Sequence, residues 1–340
     1  MFANLLTFPY RFAVSARLWL YKQEWMKSKR LPCPVVSVGN LSVGGTGKTP
    51  MTMWVAQYVA ARGKKVAILS RGYRRHSRET FLLVSNGKEI LVSQNEAGDE
   101  PFLMATCCPG VIVAVGANRY ELGRWVLDRL AIDCFVLDDG FQHVGLARDL
   151  NLLLIDISDS VGMQSLLPVG RLREPLSEAQ RATSIIFTRV EDLEEMEPMR
   201  QRLERAVGKA VSPIATRFEA ERLTSRNGDV VHDPSWLKGK RVLIFSGVAN
   251  ASSFRRLVEG LAAQVVADLR YSDHMTYTEE TLRQIHEQAD KVQAQVLLTT
   301  EKDLVKVQPL WPYSDPVWAL SVGIKFLEVQ DRLEAQLQTI

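Results

Sequence analysis

The sequence predicts an α/β fold of the P-loop NTPase type, a mostly parallel sheet with helices on both faces. Two observations carry this prediction. Short apolar runs alternate with helix-period segments between residues 34 and 213, and a glycine-rich loop joins the first run to the first helix. The runs are almost continuously apolar, which is typical of strands buried on both faces. A second, smaller α/β domain and an N-terminal amphipathic helix complete the predicted architecture.

The first 30 residues differ from the rest of the chain. They carry six basic residues against one acid, Glu24, with aromatic and leucine side chains between the charges. The charges interrupt the apolar run too early for a secretory signal, and no run reaches the ~18 apolar residues of a membrane span. A cationic, aromatic-rich helix suits the plane of an anionic membrane surface. We therefore predict a membrane-associating helix over residues 1–30; a helix that only packs on its own domain is the alternative.

The predicted elements divide the remaining chain into three parts. Residues 31–220 hold six predicted strands, namely "PVVSVG", "KVAILS", "VIVAV", "CFVLDD", "LNLLLIDI" and "SIIFTR". Residues 221–235 are polar, and "RNGDVVHDPS" indicates a hairpin or linker. Residues 236–340 alternate again, with strands in "RVLIFSG", "QVVADL", "AQVLLTT" and "VWAL" and helices over 252–261 and 279–289.

Composition excludes some functions. The 340 residues have a net charge of only +3, so we expect no nucleic-acid partner and look for local electrostatic specialisation instead. The four cysteines form no CxxC pair and lie among apolar residues, which favours buried, reduced thiols. A chain of this length can bury a core without metal or disulfide support.

The stretch "SVGNLSVGGTGKTP" predicts a phosphate-binding loop between a strand and a helix. Glycines let backbone amides turn towards phosphate oxygens, and the helix N-terminus adds partial positive charge. Lys48 would bridge the β- and γ-phosphates of ATP, and the Thr49 hydroxyl would bind Mg²⁺. A generic loop of this type has a glycine where this chain has Ser42. The predicted nucleotide-binding residues are Gly44, Gly45, Thr46, Gly47, Lys48 and Thr49.

Acidic and basic residues follow other predicted strands. Asp138 and Asp139 end a buried strand, where two adjacent carboxylates are costly unless a cation compensates them, so with Thr49 they form the predicted metal site. "NEAGDEP" by itself indicates a helix N-terminus with Asp99 and Glu100 in its first turn. "LSRGYRRHSR" follows the second strand, on the edge where such sheets bind ligands, and its arginines could bind an anionic acceptor or be a solvated loop.

Together these blocks resemble a known family. "SVGNLSVGGTGKTP", "SRGY", "GDEP", "VLDDGFQH", "LARDLNLLLID", "LPVGRLREP", "SDH" and "TTEKDLVK" occur in the order seen in the tetraacyldisaccharide 4′-kinase family of lipid A biosynthesis. The match runs from Ser37 to about Lys306, and its "DDGFQH" and "GGTGKTP" blocks are the specific ones. That family also has a serine-type residue at the position of Ser42. Arg74 departs from the small residue that usually follows "SRGY".

The resemblance implies an activity and residue roles. ATP would donate its γ-phosphoryl group to the 4′-hydroxyl of a tetraacylated glucosamine disaccharide 1-phosphate, at the cytoplasmic face of the bacterial inner membrane. Asp99 matches the position of the catalytic base and His274 that of its partner, with Lys48 at the phosphates. The residues implied to line the substrate cleft are Arg71, Gly72, Tyr73, Arg119, Gln142, Arg171 and Arg173.

Two further readings stay open at this point. A membrane-recruited P-loop switch would explain the loop, Asp138 and the basic helix, but leaves the arginine clusters without a purpose. A kinase of a soluble anionic metabolite leaves the N-terminal helix unexplained. We expect a monomer whose two domains close over the substrate and bring Asp99 and His274 together from an open resting state.

Overall fold

The computed structural model describes the backbone of residues 2–73, 75–159, 162–225, 230–273 and 275–340, and the side chains of these ranges from residue 7 onward. Its strands are β1 (Val35–Asn40), β2 (Val66–Ser70), β3 (Leu82–Asn86), β4 (Ile112–Val115), β5 (Cys134–Leu137), β6 (Leu150–Asp156), β7 (Ser184–Thr188), β8 (Ile214–Ser225), β9 (Val231–His232), β10 (Arg241–Ser246), β11 (Gln264–Arg270), β12 (Val296–Thr300) and β13 (Val317–Phe326).

The α-helices of the described residues are α1 (Phe2–Lys22), α2 (Lys48–Ala60), α3 (Gln94–Ala97), α4 (Asp99–Cys107), α5 (Arg119–Leu127), α6 (Glu197–Val207), α7 (Ala251–Gly260), α8 (Glu279–Lys291), α9 (Glu301–Val307) and α10 (Gln330–Leu337). Short 3₁₀ helices occupy Ile157–Asp159, Gly162–Gln164, Leu176–Arg181, Leu193–Met196 and Pro234–Leu237.

The N-terminal half of the sheet has the strand order β3-β4-β2-β5-β1-β6-β7-β8. All neighbouring pairs are parallel except β3 with β4. The central strands β1, β2, β5 and β6 are buried along their whole length, as their unbroken apolar sequences require. The predicted parallel α/β architecture is therefore confirmed for this half.

Helices cover both faces of this half. On one face, buried side chains of α2, α4 and α10 pack against the strands, for example Met51, Met104 and Leu333. On the other face, Leu122 and Val126 of α5 pack with Leu31 against β2 and β5. The two layers leave the carboxyl ends of the strands uncovered, which is where sheets of this kind bind ligands.

The long strand β8 connects the two halves. Its first two residues pair in parallel with β7, and from Thr216 to Ser225 it pairs antiparallel with β13. β13 in turn is parallel to β12, which is followed by β10 and β11. The strands of the C-terminal half therefore run towards the N-terminal half, and the carboxyl edges of the two halves face each other across the β8–β13 ribbon.

This ribbon crosses the predicted domain limits. β8 continues past residue 220 into the predicted linker. Near its end, Leu223 and Thr224 pair with His232 and Val231 of β9 in a hairpin. The division into residues 31–220, 221–235 and 236–340 stays a prediction. The described strands of both halves form one connected sheet. The C-terminal half has its own apolar clusters, under α8 and α9 on one side and α7 on the other.

Helix α1 lies apart from the sheet, against the loops at its carboxyl edge. Tyr10 is half-buried, and its hydroxyl donates a hydrogen bond of 2.9 Å to the carbonyl of Arg173. Phe8 and Phe12 are 73% and 70% exposed, so the opposite face of the helix presents large apolar side chains to solvent. Among the described helices, none combines the length and the apolar character needed to cross a membrane.

Candidate active site

The phosphate-binding loop is a backbone structure. After β1 the chain turns at residues 44–47, where Gly44 and Gly47 have φ angles of 116° and 87°, a region that favours glycine. Gly47 is the N-cap of α2, so the free amides of the first helical turn border the loop. The ammonium of Lys48 donates to the carbonyl of Gly44 at 3.3 Å. The loop thus curls back over the Lys48 side chain and reaches its ammonium, an arrangement suited to phosphate binding.

Position 42 does not require a glycine, because it lies before the turn. It is buried, its φ is outside the left-handed region, and it forms an isolated antiparallel bridge with Leu172. The neighbouring amides of Val43 and Arg173 donate to the carbonyls of Arg171 (2.8 Å) and Leu41 (2.7 Å). The first part of the loop is therefore extended chain paired with residues 171–173, which accounts for the departure from the generic spacing.

Sequence reasoning missed two anchors of the loop at the end of β7. The hydroxyl of Thr188 donates to the carbonyl of Thr46 at 3.1 Å, and the guanidinium of Arg189 donates to the carbonyl of Gly45 at 2.8 Å. Arg189 also pairs with Asp156, at the end of β6. The only signal in the sequence was their position at the end of "SIIFTR", on the same edge as the loop.

Asp138 and Asp139 have contrasting environments although they are adjacent. Asp138 is 3% exposed and accepts hydrogen bonds from the hydroxyls of Ser70 (3.0 Å) and Thr52 (3.3 Å). Burial, and then the nearby charges of Glu100 and Asp139, raise the pKa of Asp138 to about 7. A cation beside this buried carboxylate would lower its pKa and keep it ionised at neutral pH, so the environment of Asp138 favours cation binding.

Asp139 already has cationic partners. Its carboxylate lies 2.8 Å from Nη1 of Arg173 and 3.8 Å from Nζ of Lys48. Burial acts to raise the pKa of Asp139, but Lys48 and Arg173 together outweigh it, and the pKa lies below its ordinary value. Asp139 thus holds Lys48 and Arg173 in place at the loop, whereas the predicted role as a metal ligand stays a prediction.

The donor set fits Mg²⁺ better than a metal held by protein alone. Thr49 and Asp138 line the same cavity and offer hard oxygen ligands. The described residues contain no group of three or more His, Cys, Asp or Glu side chains placed to hold a metal. Mg²⁺ commonly takes one or two protein oxygens and completes its shell with phosphates and water. The residues present are consistent with that arrangement.

A large cavity of about 1680 Å³ lies between the two carboxyl edges. On one side it is bordered by the phosphate-binding loop and the ends of β2 and β5, and on the other by residues that follow β10 and β12, such as Asn250 and Lys302. Tyr10, Val14 and Arg17 of α1 also line it. The predicted site residues on its wall are Gly44, Gly45, Thr46, Gly47, Lys48, Thr49, Arg71, Tyr73, Asp138, Asp139, Gln142 and Arg173.

Three predicted substrate residues lie elsewhere in the structure. Arg119 is only 1% exposed and donates to the carbonyl of Ala117 at 2.8 Å, and burial followed by the charge of Arg71 lowers its pKa to about 10. Gly72 has a φ of 70°, and a Cβ there would lie 2.1 Å from Val115. Arg119 and Gly72 are therefore packed inside the protein and are not among the residues of the cavity wall.

Arg171 lies over the phosphate-binding loop. It donates to the carbonyl of Val43 at 3.1 Å, pairs with Asp159 at 3.0 Å, and borders a smaller cavity of about 240 Å³ beside the large one. A Cβ on Gly44 would collide with its guanidinium. Its position favours contact with the nucleotide, while the predicted contact with the lipid stays a prediction.

Asp99 lies in the first turn of α4, as the sequence predicts for a helix start. Its carboxylate accepts a hydrogen bond from Gln94 of α3 at 3.0 Å and forms an ion pair of 2.7 Å with Lys306 of α9. Glu100 and Leu103 form the neighbouring cavity wall, whereas Asp99 faces α9 behind it. His274 and Arg74 lie outside the described residues, so the predicted approach of His274 to Asp99 stays a prediction.

Comparison with known proteins places the chain in a family. The model of the LpxK family, tetraacyldisaccharide-1-P 4′-kinase, matches residues 2–340. The chain belongs to this family. It is 38% identical over 341 residues to a tetraacyldisaccharide 4′-kinase of Aquifex aeolicus, an alignment that covers 99% of this chain and 98% of the relative. It is 37% identical over 323 residues to the enzyme of the same name from Syntrophus aciditrophicus, covering 93% of this chain and 86% of the relative.

A solved structure supports the same assignment. The "apo" form of LpxK from Aquifex aeolicus in complex with ATP superposes with a TM-score of 0.79 at 35% sequence identity, covering 100% of this chain and 99% of that one. The family assignment also agrees with the site built above. A phosphate-binding loop, an acidic pair and a cavity that also contacts a cationic helix are present together in one chain.

Proposed function

We propose that this chain is a kinase that transfers the γ-phosphoryl group of ATP to the 4′-hydroxyl of tetraacyldisaccharide 1-phosphate, forming lipid IVA. One observation carries the proposal: the cavity that contains Lys48 and Asp138 is bordered on a third side by the N-terminal helix, through Tyr10, Val14 and Arg17. A nucleotide on the loop and an acceptor presented along α1 would therefore meet in the same space.

The donor half of the reaction is positioned by the loop. The amides at the start of α2 and the ammonium of Lys48 would bind the β- and γ-phosphates. Asp139, which also pairs with Arg173, holds that ammonium near the loop. Thr49 and Asp138 would hold a Mg²⁺ ion, which would neutralise charge on the transferring phosphates. Phosphoryl transfer needs positioning and electrostatic stabilisation more than covalent chemistry, which is what this wall provides.

The acceptor half needs a base, because a sugar hydroxyl is a weak nucleophile. Asp99 is assigned this role, with His274 as its partner from the C-terminal half. Asp99 lies next to Glu100 in the first turn of α4, and Glu100 lines the cavity that the residues following β12 border on the other side. Closure of the two halves over the substrate would exclude water that otherwise hydrolyses ATP.

The lipid would reach the site from an anionic membrane surface. The exposed side of α1 combines the basic residues Arg11 and Lys22 with Phe8, Phe12 and Trp19. Aromatic side chains at the headgroup level and basic residues near anionic lipids both favour interfacial binding, at about 1 kcal/mol per basic residue. We propose that the protein acts as a peripheral monomer at the cytoplasmic face of the inner membrane; the exposed side of α1 supports its binding to a membrane surface.

The test is direct. Purified protein is incubated with γ-labelled ATP, MgCl₂ and extracted lipid disaccharide in mixed micelles, and the lipid phase is separated by chromatography. Label is expected in a lipid product with the wild type and not with Lys48→Ala. Label released only as inorganic phosphate would instead indicate an NTPase switch. Label that moves onto a soluble sugar phosphate offered as an alternative acceptor would indicate a kinase of soluble metabolites.

A further inference from the structure

The ion pair between Asp99 and Lys306 has no role in the scheme above. Lys306 lies in the last turn of α9 and its side chain is only 8% exposed, while that of Asp99 is 22% exposed. A lysine this buried is costly unless its charge is paired and hydrogen-bonded. Its ammonium lies 2.7 Å from Asp99 and donates to the carbonyl of Met275 at 3.2 Å. Lys306 therefore links the α4 carboxylate to the segment that flanks residue 274.

Helix α9 is itself held firmly. The carboxylate of Asp303 accepts hydrogen bonds from the amide of Gly247 (2.9 Å) and the hydroxyl of Thr300 (2.8 Å), and Asp303 is fully buried. One turn before Lys306, Lys302 pairs with Asp273 at 3.0 Å. The two lysines, four residues apart on one helix face, thus hold the residues on either side of position 274.

We propose that Lys306 is a positioning residue for the phosphoryl transfer: it orients the carboxylate of Asp99 and ties it to the backbone of Met275. This inference rests on the proposed function, in which Asp99 is the base and residue 274 supplies its partner. Gln94 fixes one carboxylate oxygen and Lys306 the other, so the direction of the remaining lone pairs is set by groups from both halves of the protein.

Several charged groups lie near Asp99, and their contacts differ. Glu100 shares its helical turn, and the backbone of Arg75 packs near Gly98, but the Arg75 guanidinium is directed to the carbonyls of Glu79 and Thr80. On the facing helix, Lys302 is directed to Asp273. Lys306 is a cation in direct contact with Asp99, at 2.7 Å.

The experiment compares Lys306→Met, which keeps side-chain length but removes the charge, with Lys306→Arg and with Lys291→Met as a surface control at the end of α8. We expect Lys306→Met to lower kcat on the order of 100-fold, the loss typical of a misplaced catalytic group, while the KM for ATP changes little. The acidic limb of its kcat–pH profile should move to higher pH, because a carboxylate that loses a neighbouring cation keeps its proton to higher pH. Lys306→Arg should recover part of kcat, and Lys291→Met should match the wild type.

A double variant keeps the test decisive even if Lys306→Met folds poorly. Asp99→Asn with Lys306→Met leaves a neutral pair and no uncompensated buried charge. If Lys306 acts through Asp99, the double variant should be as slow as Asp99→Asn alone. If the kcat loss of the double variant is the product of the losses of the two single variants, the inference is wrong. It is also wrong if Lys306→Met is slow and has a lower Tm while the acidic limb of its kcat–pH profile stays in place. Absence of any lipid product with the wild type would instead remove the proposed function itself.

Discussion

The two walls of the central cavity are built on different principles. The phosphate-binding wall is a backbone device, in which Gly44 and Gly47 adopt left-handed φ angles and the carbonyls of Gly45 and Thr46 are held by the end of β7. Behind the cavity, side-chain pairs join elements that are distant in sequence, such as Asp99 of α4 with Lys306 of α9. The loop is thus shaped by its own backbone, whereas the Asp99–Lys306 pair depends on the packing of α4 near α9.

This difference assigns separate kinetic consequences to the two walls. Damage to the loop should weaken both nucleotide binding and transfer, because the same contacts serve the ground state and the transition state. Damage at Asp99 should affect transfer alone. The predictions below test that separation, from the largest expected effect to the smallest.

The largest effect is expected for Lys48→Ala. The substitution removes the ammonium that lies 3.8 Å from Asp139 and 3.3 Å from the Gly44 carbonyl. Loss of a charge aimed at the transferring phosphate costs about 10²- to 10³-fold in rate, and weaker ATP binding adds to it, so kcat/KM should fall roughly 10⁴-fold. Steady-state kinetics and calorimetry with MgATP measure the two parts. Undiminished ATP affinity would show that the loop does not hold the nucleotide as described.

Asp99→Ala should lower kcat about 10³-fold, within the range of a lost general base, while ATP still binds with near-normal affinity. The physical reason is its place behind Glu100, on the side that faces α9, away from the loop. Calorimetry and single-turnover transfer provide the comparison. If turnover stays near that of the wild type, the assignment of the base is wrong; if ATP binding falls as far as turnover, the two walls are not functionally separate.

The same contrast explains what could be predicted from sequence. Gly47 and Lys48 were recognisable because phosphate binding demands particular residue types at fixed spacing, and the buried strands were recognisable from unbroken apolar runs. Arg189 and Lys306 were not, because a basic residue at a strand end or on a helix acquires its role only from partners brought there by the fold. Strand β8 was missed because its sequence is polar where it borders the cavity, a position at which the charged residues Arg217 and Glu219 are tolerated.

Removal of helix α1 should weaken membrane binding, through which the lipid acceptor reaches the site, and leave MgATP binding to the phosphate-binding loop unchanged. Deleting residues 2–22 removes Arg11, Arg17 and Lys22, and at about 1 kcal/mol each their loss corresponds to roughly 100-fold weaker partitioning onto anionic vesicles. Sedimentation with vesicles of anionic and neutral lipid measures it. The double variant Phe8→Ser and Phe12→Ser changes only exposed side chains, so it should weaken partitioning while MgATP binding is unchanged. Unchanged partitioning after truncation would refute the membrane role.

A smaller effect is expected for Gly47→Ala. Alanine pays about 1–2 kcal/mol for a left-handed backbone, and its Cβ would lie 2.3 Å from the Phe218 ring, which must move. We expect about 10-fold weaker binding of ATP, the size of that strain. Gly63→Ala is the matched control, because its φ of 81° imposes the same backbone strain with nothing within 4 Å of the new Cβ. Both variants should lose stability, and only Gly47→Ala should lose affinity; equal affinities would mean that the loop geometry is not what binds ATP.

The smallest effect tests the cationic character of the wall through His143, which lines the cavity. Burial, and then the guanidinium groups of Arg119, Arg148, Arg71 and Arg17, lower the pKa of His143 from 6.5 to about 4. As pH falls through 6.5 the unfolded chain binds a proton that the folded chain refuses until about pH 4, so His143 reduces the free energy of unfolding across that window.

His143→Asn should therefore lose less stability than the wild type between pH 7.5 and pH 5, by about 1 kcal/mol after allowance for partial solvent exposure. Urea unfolding of both proteins at the two pH values measures the difference, and added salt should shrink it because the repelling arginines are screened. Identical pH dependence in the two proteins would mean that the arginines do not jointly set the field at this wall. Their placement around the phosphate-binding edge would then need another explanation than attraction of an anionic substrate.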